Sequence, residues 1–195
     1  KTRVLIHRVL YLVLEKKVQP TNILLSTFTN KAAGEMLERI IRVFAQNKIH
    51  DQPTVGTFHS LCAKILRRDG REIGIPISFQ IFDDQDQLET IKEAFSHLYL
   101  NPKEIRPRAV LAMISQAKNQ MIDETTYESI AHGYFQEIVA KVYPVYQSLL
   151  ADHDALDFDD LLIKTIELFK KNPETLSRYQ DKFQYVLVDE YQDTN

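Results

Sequence analysis

The segment Tyr185-Val-Leu-Val-Asp-Glu190 decides the fold class of this chain. Its apolar residues predict a buried strand, and two acidic residues end it. Two earlier segments, Asn22-Ile-Leu-Leu-Ser-Thr-Phe28 and Thr54-Val-Gly-Thr-Phe58, predict two further short strands. The first has no alternation of apolar and polar residues, which is typical of a strand buried on both faces of a parallel sheet. Helical patterns separate the three strands, so the sequence predicts an α/β fold with a parallel sheet.

The remaining patterned segments are helical. Apolar side chains recur three or four residues apart in residues 3–17, 33–44, 59–71, 84–98, 107–120, 125–133, 135–150, 161–171 and 173–181. Thr29 or Asn30 can cap the second of these helices. From about residue 83 no convincing strand interrupts the helices until the last segment. We therefore predict an all-helical insertion, residues 77–153, within an α/β domain formed by residues 1–76 and 154–195.

The composition excludes several classes of protein. With 195 residues, 44% hydrophobic and 26% charged, the chain is neither disordered nor fibrous. It has no apolar run of the roughly 18 residues that a membrane span needs, and its opening Lys1-Thr-Arg3 is not that of a signal peptide. The single cysteine, Cys62, cannot form an internal disulfide, so we expect a reducing intracellular setting and a structural role in the core.

The charges are divided unevenly along the chain. The net charge is −3, but residues 1–72 carry +7 and residues 73–195 carry −10. This asymmetry favours a nucleic-acid partner for the basic part, although solvated helix faces explain it equally well.

Asp189 and Glu190 are the strongest candidates for chemistry. Ligands bind at the carboxyl ends of the strands in open α/β sheets, and this layout is that of a Walker B element. Asp189 would hold the Mg²⁺ of a metal–nucleotide complex, and Glu190 would orient or deprotonate the water that attacks the γ-phosphate. The alternative is a strand that runs into a polar turn.

The dipeptide Lys1-Thr2 precedes a helical pattern, as the end of a phosphate-binding P-loop does. Lys1 would neutralise the β- and γ-phosphates, and the hydroxyl of Thr2 would ligate Mg²⁺. By itself the dipeptide has no specificity. Its position before a helix and its pairing with an acidic strand end give it weight.

Four segments of the chain resemble motifs of the superfamily 1 DNA helicases of the UvrD/Rep/PcrA group. Thr27-Phe-Thr-Asn-Lys-Ala-Ala33 resembles motif Ia, and Gly56-Thr-Phe-His-Ser60 resembles motif Ib. Leu156-Asp-Phe-Asp-Asp-Leu-Leu162 resembles the acidic segment that returns the chain to the motor domain, and Asp189-Glu-Tyr-Gln-Asp-Thr-Asn195 resembles motif II. The resemblance implies a RecA-like P-loop NTPase sheet, truncated at both ends and interrupted by a helical subdomain called 1B.

The resemblance also implies a surface for single-stranded DNA. Phe28 would stack on a base, with Thr29 and Asn30 on the backbone, while Thr57 and His59 would contact phosphate or sugar. Phe28 could instead be a core aromatic, and His59 a structural residue.

Two other groups of residues are ambiguous. Lys31 could face DNA or pair with Glu35 one helical turn away, and we favour the pair. Asp157, Asp159 and Asp160 could bind a metal, but acidic residues at a helix N-terminus are favoured by the helix dipole alone, and we favour that reading.

The resemblance implies that the sequence is part of an ATP-dependent, single-stranded-DNA translocase that uses ATP and Mg²⁺ in the bacterial cytoplasm. Such motors close a second motor domain of the same chain over ATP, so we expect this piece alone neither to hydrolyse ATP appreciably nor to unwind duplex. Two alternatives remain: a non-catalytic module that binds nucleic acid or protein, and a subunit of a recombination helicase–nuclease. The acidic character of residues 73–195 weakens the first, and the compact insertion weakens the second.

Overall fold

The computed structural model describes residues 2–193 and shows a mixed, mostly helical α/β chain with a small parallel sheet. Its α-helices are α1 (Thr2–Leu14), α2 (Asn30–Gln46), α3 (Phe58–Asp69), α4 (Asp84–His97), α5 (Pro107–Asn119), α6 (Glu124–Ile130), α7 (Tyr134–Asp152), α8 (Phe158–Lys171) and α9 (Pro173–Lys182). Its strands are β1 (Ile23–Thr27), β2 (Thr54–Thr57), β3 (Gln80–Ile81), β4 (Ala155–Leu156) and β5 (Tyr185–Val188). Each predicted helix and strand is present.

The chain divides into two compact units. Unit 1 comprises residues 1–64 and 169–195, and unit 2 comprises residues 65–168. Unit 2 is longer at both ends than the predicted insertion, residues 77–153. The assignment of a motor domain and an inserted subdomain stays a prediction.

Unit 1 is built on a three-stranded parallel sheet in the order β2-β1-β5. Leu25 of the central strand is in register with Val55 on one side and Leu187 on the other. Helices α1 and α2 bury one face of the sheet, because their apolar stripes pack on alternate residues of β1. This core consists of Ile6, Val9, Leu12, Ile23, Leu25, Met36, Ile40 and Phe44.

The prediction that β5 is a buried strand is wrong, whereas all five residues of β1 are buried as predicted. Among the described strands β5 has a neighbour on one side only, and Leu187 packs against the core of unit 1. Tyr185 and Val186 are 37% and 54% exposed. The apolar run of β5 is therefore partly exposed in this structure.

Unit 2 is mainly helical, and α7 packs against α4, α5 and α6. Its largest fully buried side chains include Phe95 of α4 and Tyr146 of α7. Asp83 caps α4, since its carboxylate accepts from the N–H of Asp86 at 3.0 Å and the carboxylate of Asp86 accepts from the N–H of Asp83 at 3.0 Å.

One element of unit 2 was not predicted. The two-residue strands β3 and β4 pair in parallel, with Gln80 opposite Ala155 and Ile81 opposite Leu156. Strands this short show no periodicity, so the sequence pattern cannot reveal them.

No helix within residues 2–193 is both long enough and apolar enough to cross a membrane.

Candidate functional site

The carboxyl ends of the three strands of unit 1 meet at one edge of the sheet. Because all three strands run parallel, Phe28 follows β1, Thr57 ends β2 and Asp189 follows β5 at this same edge. We call it the carboxyl edge. The structure thus brings together three of the predicted groups of site residues, which the sequence separates by up to 161 positions.

The acidic pair after β5 is held by its own backbone. The N–H of Asp189 donates to the carbonyl of Ser26 in the central strand at 2.9 Å, which continues the ladder by one residue. Glu190 follows with a φ of 52°, in the left-handed region that non-glycine residues rarely adopt. Its N–H donates to Oδ1 of Asp189 at 3.1 Å. This turn directs the chain away from the strand directly after the acidic pair, and both residues are half-buried.

The turn between β1 and α2 presents an exposed aromatic ring. Phe28 is 50% exposed, so the alternative of a core aromatic is wrong. The hydroxyl of Thr29 accepts from the N–H of Ala32 at 3.1 Å and caps α2, while Oγ1 of Thr27 donates to the carbonyl of Thr29 at 3.0 Å. Asn30 is exposed and is the first residue of α2.

The turn from β2 to α3 is closed by hydrogen bonds between Thr57 and Ser60. Oγ1 of Thr57 accepts from the N–H of Ser60 at 3.1 Å, and the N–H of Thr57 donates to Oγ of Ser60 at 2.9 Å. A side chain at Gly56 would lie 2.7 Å from Oγ of Ser60, which explains the glycine. Thr57 is buried and His59 is half-exposed. Their proposed contacts with DNA stay predictions.

Of the two residues predicted to bind the nucleotide phosphates and Mg²⁺ at the amino terminus, the structure describes only Thr2. Lys1 lies outside the described residues, and Thr2 is the half-buried first residue of α1. The predicted pair between Lys31 and Glu35 is wrong, because Glu35 pairs instead with Arg39 at 3.9 Å, one turn further along α2. Cys62 is buried, as predicted.

Unit 2 contains a buried ionic cluster that the sequence did not predict. Nζ of Lys118 lies 2.6 Å from Oδ2 of Asp157 and 2.8 Å from Oδ1 of Asp160, and all three side chains are at most 3% exposed. The hydroxyl of Tyr146 donates to the same oxygen of Asp157 at 2.9 Å. The N–H of Asp160 donates to Oδ1 of Asp157 at 2.8 Å. We call Lys118, Tyr146, Asp157 and Asp160 the lysine cluster.

Burial and charge act against each other in this cluster. Burial by itself lowers the pKa of Lys118, but the carboxylates of Asp160 and Asp157 outweigh it, so the pKa lies above its ordinary value and the amine stays charged. Burial raises the pKa of Asp160, and Lys118 offsets this only in part. Burial and the neighbouring Asp157 also raise the pKa of Tyr146, which keeps its hydroxyl a donor.

The acidic segment lies at the start of α8, as the favoured prediction has it, with Asp159 and Asp160 in the first turn. The pairing with Lys118 goes beyond that prediction. Asp157 and Asp160 pair with Lys118, while Asp159 accepts from the hydroxyl of Ser115 at 2.6 Å and from the amide of Asn119 at 3.2 Å. Across residues 2–193 no group of three or more His, Cys, Asp or Glu side chains could hold a metal ion. The segment therefore fastens the start of α8 to α5.

One signal could have found the cluster. Lys118 lies four residues after Ile114 and eight after Val110, so it continues the apolar stripe of α5. A lysine in line with a core stripe has to find carboxylates, because an unpaired buried charge is costly.

Comparison with known proteins identifies the family. The sequence model of the UvrD/REP helicase N-terminal domain matches residues 1–195. The chain belongs to the UvrD/REP helicase family.

Curated relatives agree with this assignment. The chain is 49% identical to the ATP-dependent DNA helicase PcrA of Bacillus subtilis over 195 residues. It is 48% identical to PcrA of Staphylococcus aureus over 198 residues and 47% identical to PcrA of Leuconostoc citreum over 195 residues. Each comparison covers the whole of this chain and 26% of the relative, so the chain spans about a quarter of their length.

In this member of the UvrD/REP family the four motif-like segments occupy two kinds of site. Residues 27–33, 56–60 and 189–195 begin at the carboxyl edge of unit 1. Residues 156–162 lie in unit 2 and contain the two aspartates that pair with Lys118.

Proposed function

We propose that this chain is the ATP- and single-stranded-DNA-binding part of the first, RecA-like motor domain of an ATP-dependent DNA helicase. One observation carries the proposal. Three parallel strands deliver an exposed aromatic turn, a hydroxyl- and imidazole-bearing turn and an acidic pair to one edge of a sheet. That edge is where α/β sheets bind ligands.

The nucleotide half of the site consists of the acidic pair together with Lys1 and Thr2. Mg²⁺ prefers oxygen ligands and takes one or two protein groups beside water and phosphate. The half-buried carboxylate of Asp189 at the carboxyl edge fits that demand, and Thr2 would add a hydroxyl. When bound, Mg²⁺ would neutralise charge on the β- and γ-phosphates, and the ammonium of Lys1 would add to this.

Glu190 is the base in this proposal. Glu190 directly follows Asp189, so its carboxylate would lie near the phosphates of a nucleotide whose Mg²⁺ Asp189 holds. It would accept a proton from the attacking water, or orient that water, at one of its carboxylate oxygens.

The DNA half of the site consists of the turns after β1 and β2. The ring of Phe28 is 50% exposed and could stack on a nucleobase. Stacking of this kind does not depend on the base, because every base has a π-face. The hydroxyls of Thr29 and Thr57 accept helix-capping bonds, and each hydroxyl also carries a hydrogen that could be donated to a phosphate oxygen. Asn30 and His59 would add polar contacts to the backbone.

In this proposal, movement along single-stranded DNA requires a second motor domain of the same polypeptide. Closure of that domain over ATP would complete the nucleotide site with arginines, and the step of closure would move the DNA that Phe28 and its neighbours hold.

A separation-of-function pair tests the proposal in the full-length protein that carries this chain. E190Q removes the base, and we expect ATP hydrolysis to fall roughly 10²- to 10⁴-fold with single-strand affinity preserved. F28A removes the stacking ring, and we expect single-strand binding to weaken by about 1–3 kcal/mol.

Matched controls are available for both changes. E174Q alters an exposed glutamate of α9, and Y99A removes an exposed tyrosine of unit 2; neither should change ATP hydrolysis or single-strand affinity. Full ATPase activity in E190Q, or full single-strand affinity in F28A, would contradict the corresponding half of the site.

A further inference from the structure

The side chain of Glu190 is held by a residue to which the sequence motifs gave no role. Nε2 of Gln192 donates to Oε2 of Glu190 at 2.5 Å. Gln192 lies in the short 3-10 turn Tyr191–Asp193 that follows the left-handed backbone of Glu190. The turn thus folds back on the carboxylate that precedes it.

The bond restrains the three torsions of the Glu190 side chain, because it fixes the position of one carboxylate oxygen. A glutamate that accepts a proton from water has to present an oxygen at a defined position, because misplacement by about 1 Å can cost roughly 10²-fold in rate. A carboxylate has about four lone-pair positions, so one amide bond can fix its orientation and leave acceptor capacity for a water.

Glutamine suits this task better than a charged donor. A lysine or arginine would stabilise the ionised carboxylate and add a positive charge beside the aspartate that is proposed to hold a cation. The neutral amide donates a hydrogen bond without altering the net charge of the acidic pair.

We propose that Gln192 is a positioning residue that orients the carboxylate of Glu190 toward the water attacking ATP. The inference rests on the proposed function, since it presumes that Glu190 acts on that water.

Two changes at position 192 test the inference in the full-length protein. Q192A removes the amide, and Q192E keeps the size of the side chain but has no N–H to donate at neutral pH. For both we expect kcat for DNA-stimulated ATP hydrolysis to fall roughly 10- to 100-fold. In Q192A, KM for ATP and the equilibrium affinity for a fluorescent ATP analogue should stay within about twofold of the wild type, because this substitution changes no charge beside the phosphates.

Q184E is the matched control. Gln184 precedes β5, is exposed, and donates to the carbonyl of Asp181 at 3.3 Å, so the same substitution falls at the opposite end of the same strand. We expect Q184E to keep the wild-type kcat.

The outcomes separate this inference from the proposed function. Wild-type kcat in Q192A and Q192E, together with a large loss in E190Q, would overturn the role of Gln192 and leave the proposed function intact. A loss in Q192A that appears in KM or in analogue affinity and not in kcat would overturn it as well, since it would indicate nucleotide binding. Wild-type hydrolysis in E190Q would overturn the proposed function, and this inference with it.

Discussion

Two aspartates of this chain follow short parallel strands and yet have opposite surroundings. Asp189 follows β5 at the carboxyl edge of unit 1, is half-buried, and accepts a hydrogen bond from the next backbone N–H. Asp157 follows β4 in unit 2, is 2% exposed, and accepts from Lys118, Tyr146 and a backbone N–H. The carboxylate of Asp189 can still accept hydrogen bonds or bind a cation from a ligand, whereas the carboxylate of Asp157 already accepts from three groups of the protein.

The comparison shows that an acidic residue at a strand end is not by itself a site. What separates the two aspartates is whether another element of the fold supplies a buried cation. The carboxyl edge combines exposed groups with a left-handed residue, features that cost stability and suit a ligand site. The lysine cluster is closed and contributes to folding. Changes at the edge should therefore affect activity, and changes in the cluster should affect stability.

The largest effect is expected for K118M. Removing the ammonium leaves two buried carboxylates without a cation, which costs about 3–5 kcal/mol of unfolding free energy. Urea unfolding of the chain, with hydrogen exchange of the α5 and α7 amides, measures the loss. K92M is the control, because Lys92 lies 2.6 Å from Glu89 as Lys118 does from Asp157 but is 46% exposed. It should cost at most about 1 kcal/mol. Equal costs for the two variants would show that burial does not distinguish the pairs.

The next effect is expected for K1A in the full-length protein. If Lys1 holds the nucleotide phosphates, its loss should lower ATP hydrolysis by at least about 100-fold, or roughly 2.7 kcal/mol, and spare single-strand binding. Steady-state ATPase assays and binding to a labelled oligonucleotide measure both. K16A, an exposed lysine after α1, should behave as the wild type. Joint loss of hydrolysis and DNA binding in K1A would mean that the role of Lys1 is wrongly assigned.

A smaller effect is expected for T57A. Thr57 lies at the carboxyl edge of unit 1, but its hydroxyl also accepts a helix-capping hydrogen bond from the N–H of Ser60. Losing the cap of α3 should cost about 1 kcal/mol. Chemical denaturation measures this, and T21A, an exposed turn residue, should cost less than about 0.5 kcal/mol. An unchanged midpoint in T57A would show that the bond to Ser60 adds nothing.

The smallest effect at neutral pH is expected for D160N, which should change the unfolding free energy by at most about 1 kcal/mol. The informative measurement for this variant is the pH dependence of its stability. The folded-state pKa of Asp160 is raised, so its contribution to stability is fully present below the ordinary carboxyl value of 3.8 and is lost as the pH rises through the folded-state pKa. D160N removes this loss and should flatten the curve of unfolding free energy between acid and neutral pH. A curve parallel to that of the wild type would show that Asp160 does not titrate differently on folding.

Much of the fold could be predicted because apolar spacing determines local structure. The stripe from Ala33 to Phe44 and the run from Ile23 to Thr27 gave the helix and the strand that the structure shows. The exposure of Val186 could not be predicted, because an apolar run indicates a strand but not which faces of the sheet other elements cover. The β3–β4 pair could not be predicted either, because it depends on a contact between residues far apart in sequence.

For the candidate site residues, the sequence predicted their position at strand ends but not their contacts. Parallel strands bring Phe28, Thr57 and Asp189 to one edge whatever lies between them, so topology alone places them. The hydrogen bonds of Thr57 with Ser60 and of Glu190 with Gln192 depend on turn geometry, which periodicity does not describe. The partners of Asp157 depend on a lysine 39 residues earlier, and only packing brings the two together.

The pairing of β3 with β4 also bears on how unit 2 folds. Gln80 and Ala155 are 75 residues apart in the sequence, and between them lie α4, α5, α6 and α7. Closing so long a loop costs chain entropy that two-residue strands cannot recover, whereas the intervening helices form through local contacts. We therefore expect this ladder to be the last contact of unit 2 to form and the first to open, so protection of its amides would report completion of folding.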